Sequence, residues 1–211
     1  MNLAEIQSRV NACIADTHAL EDLHELLAVV AERNDIEADP AELERGGRFV
    51  LGYVEQVPYM MKVAATAAAN VGLESEMDLI LERVSAYWLE DVDIIPDHMG
   101  VIGLLDDAYC SMTTLQAVSD HFRLHSGKYL FPDNLTAANR AMRKIIGEPY
   151  VEELDRFVSS ALNEAGVVEA LTALASPEKQ RALSEHATIW NHGRAGEMPI
   201  ERLSGLGLLD D

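Results

Sequence analysis

Cysteine is nearly absent from this chain: two in 211 residues, Cys13 and Cys110. Each sits in an apolar helical pattern, and no C-x-x-C spacing links them to a metal or redox pair. Both read as reduced, half-buried thiols. Positive charge is scarce as well. Lys and Arg number 16 against 36 Asp and Glu, a formal net charge of −20, and only four of the basic residues are lysines. Binding to phosphate backbones and to anionic lipid headgroups is driven largely by Lys and Arg, so neither nucleic acid nor a membrane surface is an expected partner. The acid excess has two readings: a solubility or high-salt adaptation, or a face that docks on another protein with a basic surface.

Long apolar runs are missing too. The most apolar window, Val57 to Leu73, holds Pro58, Lys62 and Asn70. It falls short of the roughly 20 apolar residues a bilayer span needs, so it reads as a buried helix and no membrane span is expected. The first residues, Met1-Asn2-Leu3-Ala4-Glu5, lack the basic-then-apolar pattern of a secretory signal, and the expected location is cytoplasmic. No phosphate-binding loop is readable: Gly46-Gly47 precedes Arg48 with no Lys and no upstream strand.

What is present, along nearly the whole chain, is apolar spacing of helical period, with no convincing alternation of strand period. Leu3, Ile6, Val10 and Ile14 form one stripe, and Leu20, Leu23, Leu27 and Val30 the next, as one long helix or a pair broken near Asp16-Thr17. Asp39-Pro40-Ala41-Glu42 is a helix start, with Asp as cap, Pro in the first turn and Glu reaching back. Gly46-Gly47 weaken that helix and Pro58 should kink or end it. Gly72 stops the Ala-rich stretch before it, and Ser75 is expected to cap the helix carrying Met77, Ile80, Leu81, Val84 and Trp88. Later starts fall at Asp133-Asn134, Glu148-Pro149 and Ser176-Pro177-Glu178. The fold class expected is all-α: a single-domain bundle of about 8–10 helices with no significant sheet. It occupies residues 1–190, and the Gly-rich stretch 191–211 is read as a partly mobile C-terminal tail. Gly103-Leu104-Leu105-Asp106-Asp107 is echoed by Gly207-Leu208-Leu209-Asp210-Asp211, which in a Leu- and Asp-rich chain reads as chance recurrence.

One central stretch carries more. Asp91-Val92-Asp93-Ile94-Ile95-Pro96-Asp97, followed by Gly103-Leu104-Leu105-Asp106-Asp107, resembles the core of the YkvA-like family, bacterial domain of unknown function 1232. Asp93, Pro96, Asp97, Gly103, Asp106 and Asp107 fill the family pattern over about residues 87–115, and Tyr87 fits an aromatic usual just upstream. Val92 stands where the family has Pro, and His98 where it has an apolar residue. The resemblance places a YkvA-like segment at about 85–125 and implies a bacterial protein, but the family has no established activity to carry over.

Read on its own chemistry, Pro96 turns the chain out of the preceding helix and Asp97 caps a new helix beginning near residue 98. Val101, Leu104, Leu105, Ala108, Met112 and Leu115 then share one face, which puts Asp106 on the solvated side and Asp107 on the flank. That makes the aspartates a capped turn and a solvated helix face. The alternative is a carboxylate cluster for Mg²⁺ or another divalent cation, since hard cations need several oxygens. Against it, Asp97 and Asp106 would lie about 13 Å apart along a straight helix, too far for one ion unless the helix starts late. His121 and His125 have the i, i+4 spacing of a two-histidine clamp, but Phe122 occupies the place of a zinc-protease Glu and no third ligand is evident.

No catalytic residue is assigned, and the balance is against an enzyme. The function expected is a non-catalytic protein–protein interaction module without a cofactor. The alternative is a metal-binding protein or enzyme using Asp93, Asp97, Asp106 and Asp107, with Asp93, Asp97, Asp107, His121 and His125 as candidate ligands. Partner and oligomeric state are not readable.

Overall fold

In the computed structural model residues 2–89, 94–95, 99–173 and 198–209 are described. Of these residues 78% are helical and none is in a strand, so the chain is all-α. The α-helices are α1 (Leu3–Ala15), α2 (Ala19–Arg33), α3 (Pro40–Asn70), α4 (Glu74–Tyr87), α5 (Leu105–Ser126), α6 (Thr136–Ile146), α7 (Tyr150–Glu164) and α8 (Val167–Ala173). Short 3-10 stretches cover Ile102–Leu104 and Ile200–Leu206. No helix among the described residues is long and apolar enough to cross a membrane.

Local chemistry sets several boundaries. α1 and α2 are separate helices, joined by a turn in which Asp16 Oδ1 accepts the His18 N–H at 2.9 Å. α3 opens with a complete capping box: Asp39 Oδ1 accepts the Glu42 N–H at 2.7 Å while Glu42 Oε2 accepts the Asp39 N–H at 2.8 Å. Asn134 Oδ1 accepts the Thr136 N–H at 3.1 Å, a small Asx turn leading into α6.

Three expected boundaries are corrected. Pro58 does not end the helix, because α3 runs on to Asn70. Proline there forfeits the one bond to the carbonyl of residue 54, whereas Val54, Val57, Met60 and Met61 around it are all buried. Packing outweighs the lost bond. Ser75 lies inside the first turn of α4, with Leu73 at the N-cap position and no side-chain cap bond. The helix expected from residue 98 begins at Leu105, after a 3-10 turn. Its expected cap, Asp97, and the start at Ser176 lie outside the described residues.

Two helices organise the rest. α3 packs against α1, α2, α4, α5 and the segment Ile200–Leu206, and α5 against α3, α4, α6, α7 and α8. Every residue from Leu105 to Met112 is buried, so the first two turns of α5 have no solvated face. Buried polar side chains further along α5 bond to neighbouring chain. Gln116 Oε1 accepts the Leu135 N–H at 2.7 Å and Ser119 Oγ the Leu130 N–H at 3.2 Å, which pins the chain entering α6. Asn139 donates from Nδ2 to the Met112 carbonyl at 3.1 Å and accepts the Tyr53 hydroxyl at 2.7 Å, joining α6, α5 and α3. Of the stretch read as a mobile tail, residues 191–197 and 210–211 lie outside the described residues, while Leu203, Leu206 and Leu208 are buried in the core.

The capping box gives a direct test. Asp39→Ala is expected to lower stability by about 0.5–2 kcal/mol and Asp39→Asn by much less, since Asn accepts the same backbone bond. Urea denaturation of the two variants measures both.

Candidate functional site

The end of α4 and the beginning of α5 form a helical hairpin, and its buried polar groups bond to one another. Tyr87, the last residue of α4, donates its hydroxyl to Asp106 Oδ2 at 3.1 Å. The same oxygen accepts the Ile95 N–H at 3.0 Å, so one carboxylate ties both the helix and the loop to the head of α5. One position on, Trp88 Nε1 donates to Ser111 Oγ at 2.8 Å, and the Ser111 hydroxyl donates to the Asp107 carbonyl at 2.8 Å. The Tyr87 ring packs on Phe157 of α7 with centroids 4.6 Å apart, and Arg83 lies over the other partner of that pair, 5.6 Å from the Phe157 centroid.

Asp106 and Asp107 are both 0% exposed, which corrects the expectation of a solvated helix face. The reason is that α5 is enclosed by α3, α4 and α8 as well as by the helices on its apolar side. A signal for this is present in the sequence: no residue from Ala108 to Ser119 carries a charge, so no face of these turns is built for water. Burial raises the Asp106 pKa above the ordinary carboxylate range. The Ile95 N–H, the Tyr87 hydroxyl and the backbone N–H groups of Asp107 and Asp106 itself act against that shift by favouring the charged form. Both acids sit in the first turn of α5, where the free N–H groups and the helix dipole favour negative charge. Asp106 Oδ1 is buried and has no partner in hydrogen-bonding geometry among the described residues.

Cys110 lies one turn further along the helix. Burial raises its thiol pKa well above the ordinary value, and Asp106, Asp107 and Asp155 raise it further. A thiol held protonated in this way is a poor nucleophile. Gly103 is buried in the 3-10 turn. Asp93, Pro96 and Asp97 lie outside the described residues, so the structure brings together only the second half of the expected cluster. His121 and His125 are half-buried near the far end of α5, where Asp120 Oδ1 accepts the Gln116 amide at 2.9 Å. Among the described residues no group of three His, Cys, Asp or Glu side chains is placed to hold a metal ion.

Two features were not foreseen from the sequence. Tyr109 donates to Asp155 Oδ1 at 2.7 Å, Arg143 Nε to Asp155 Oδ2 at 3.2 Å and Arg143 Nη2 to Glu148 Oε1 at 3.1 Å, a polar chain linking α5, α7 and α6. Residues distant in sequence make these bonds, and no local pattern announces them. The second is an open cleft of about 720 Å³ beside α3, bordered by Arg48, Gly52, Tyr59, Asp133, Pro199 and Arg202. Arg48 is engaged there by Glu44 at 2.6 Å.

The hairpin is also where the chain meets known proteins. A family model described as a protein of unknown function (DUF1232) matches residues 84–111. No curated protein and no solved structure matches the chain. The match spans a short segment, and that segment contains both ends of two buried side-chain bonds of the hairpin, Tyr87 to Asp106 and Trp88 to Ser111.

The raised pKa of Asp106 has a pH consequence with a definite sign. An acid whose folded pKa lies above its unfolded value contributes stability at low pH, and that contribution is lost as pH rises through the folded pKa. Asp106→Asn keeps an acceptor for Tyr87 and Ile95 without the charge. Its stability relative to the parent chain should therefore rise between pH 4 and pH 7, and melting temperatures of the two proteins across that range test it.

Proposed function

We propose that this chain is a non-catalytic, all-helical protein-interaction module whose acidic exterior recognises a partner protein with a basic surface. The observation that supports this reading is the complete burial of Asp106 and Asp107. These acids of the family-like segment are turned inward, and Asp106 is occupied in holding Tyr87 and Ile95. The hairpin acts as scaffold, and the charge available for recognition is that of the outer faces, with 36 acidic residues against 16 basic ones in the chain. Electrostatic complementarity of this kind speeds association and is weakened by salt. The protein isolated from its native source at about 50 mM salt should retain a partner at near-equal amount, released at about 500 mM. Absence of any salt-sensitive partner would remove the reading.

One observation favours a second reading, a divalent cation such as Mg²⁺ at the head of α5. Asp106 Oδ1 is a buried carboxylate oxygen without a hydrogen-bond partner among the described residues, and Asp107 follows it on the same turn. Such a cation takes oxygen ligands and would stabilise the folded chain by linkage. Melting curves in MgCl₂ and in NaCl at matched ionic strength separate this from general screening of the −20 charge. A Mg²⁺-specific rise that is lost in Asp106→Asn and kept in Glu25→Gln would establish the cation reading. Coincident curves leave the interaction module alone.

A further inference from the structure

α3 carries the glycines Gly46, Gly47 and Gly52, and each lowers helix stability relative to alanine. Neighbours explain the first two. A Cβ on Gly46 would come within 2.6 Å of Leu206 Cδ1 and 2.9 Å of Leu27 Cδ1, so its bare backbone is the seat for the Leu206 side chain. A Cβ on Gly47 would meet Leu20 Cδ2 at 3.2 Å. Gly52 has no such reason: its backbone is ordinary helix, and among the described residues nothing lies within 4 Å of where its Cβ would stand. Gly52 borders instead the open cleft of about 720 Å³. That volume falls within the roughly 300–1,000 Å³ of small-molecule sites, and a bare backbone on the wall of a cleft lets an occupant approach closely.

The borders of this cleft are held in place by the core. α3 contributes Arg48, Gly52, Glu55, Gln56 and Tyr59, while Asp133 and Leu135 come from the chain entering α6 and Arg202 from the segment Ile200–Leu206. The Leu135 N–H is anchored on Gln116 Oε1 at 2.7 Å, and the buried side chains of Leu203 and Leu206 fix the segment that bears Arg202. Arg48 is engaged by Glu44 at 2.6 Å. Glu55, Asp133 and Arg202, in contrast, form no ion pair among the described residues, although both signs border the same cleft. Loss of solvent raises the Asp133 pKa above the ordinary carboxylate value, the mark of an acid without a compensating cation. Tyr59, 54% exposed, adds an aromatic face.

These charges select among ligand classes. An anion would match Arg202 but meet the two cleft acids and the field of a −20 chain. A cation would match the acids and leave Arg202 alone. A molecule carrying both charges and no net charge matches both and is neither drawn nor repelled at long range. Its charges must also be well separated, because the groups they meet do not touch each other, and a tripeptide spans about 10 Å. We propose that this cleft is a binding site for a short zwitterionic peptide. Asp133 and Glu55 hold its ammonium group, Arg202 holds its carboxylate, and its backbone lies over Gly52 with a side chain against the Tyr59 ring. The site is independent of the interaction-module reading.

The test is calorimetric titration of the full chain with the tripeptide Ala-Phe-Ala, both termini free. Binding should be one to one, and N-acetylation or C-terminal amidation of the peptide should each weaken it about tenfold or more. Asp133→Asn should weaken the free peptide by a similar factor and leave the N-acetylated peptide unchanged. Arg202→Gln should do the same towards the amidated peptide. Gly52→Leu should abolish binding while the melting temperature stays at or above that of the parent chain, since leucine is the better helix former. A melting temperature lowered by Gly52→Leu shows that the glycine serves the fold, and overturns the proposal. So does the absence of binding up to about 5 mM peptide, or binding that neither blocked terminus weakens. A chain that binds no peptide but retains a salt-sensitive protein partner loses this site and keeps the interaction-module reading.

Discussion

A helix with no face to the solvent finds hydrogen-bond partners only within the protein, and α5 is such a helix over its first two turns, where Asp106 Oδ1 has none among the described residues. Its side chains take the part that water or a neighbouring strand would play for exposed backbone. Asp106, Gln116 and Ser119 each accept a backbone N–H from chain outside α5, at Ile95, Leu135 and Leu130. These three acceptors hold the chain at Ile95 and on the approach to α6. α4, α6, α7 and α8 are arranged around α5.

The same enclosure explains the character of the family-like hairpin. A carboxylate in a dry position is unfavourable unless several donors converge on it. Here they come from three sources: a tyrosine on α4, a loop backbone and the open end of α5 itself. The arrangement fixes the relative position of two helices with few atoms.

The parts of this architecture that depend on neighbouring residues were legible in the sequence, and the parts that depend on distant ones were not. The capping box of α3 could be read because Asp39, Pro40 and Glu42 stand within one turn of each other. The all-helical class could be read because the apolar period repeats along nearly the whole chain. A one-sided apolar stripe predicts a solvated Asp106, whereas the first two turns of α5 are buried all round, as the uncharged run from Ala108 to Ser119 signals. Local propensity predicts a kink or an end at Pro58, and the helix does not end there because of packing on either side, about which propensity carries no information. Gly46 looked like a weakness until Leu206, far along the chain, was found resting on it. The half of the site formed by Asp93 and Asp97 lies outside the described residues.

The seat on Gly46 also has a consequence in time. α2 and α3 are complete at Asn70, whereas Leu206 and Leu208 follow about 136 and 138 residues later. At about 5–20 residues per second, roughly 7–28 s of translation separate the two events. Throughout that interval Leu27 and Gly46 are without the Leu206 side chain that rests on them in the folded protein.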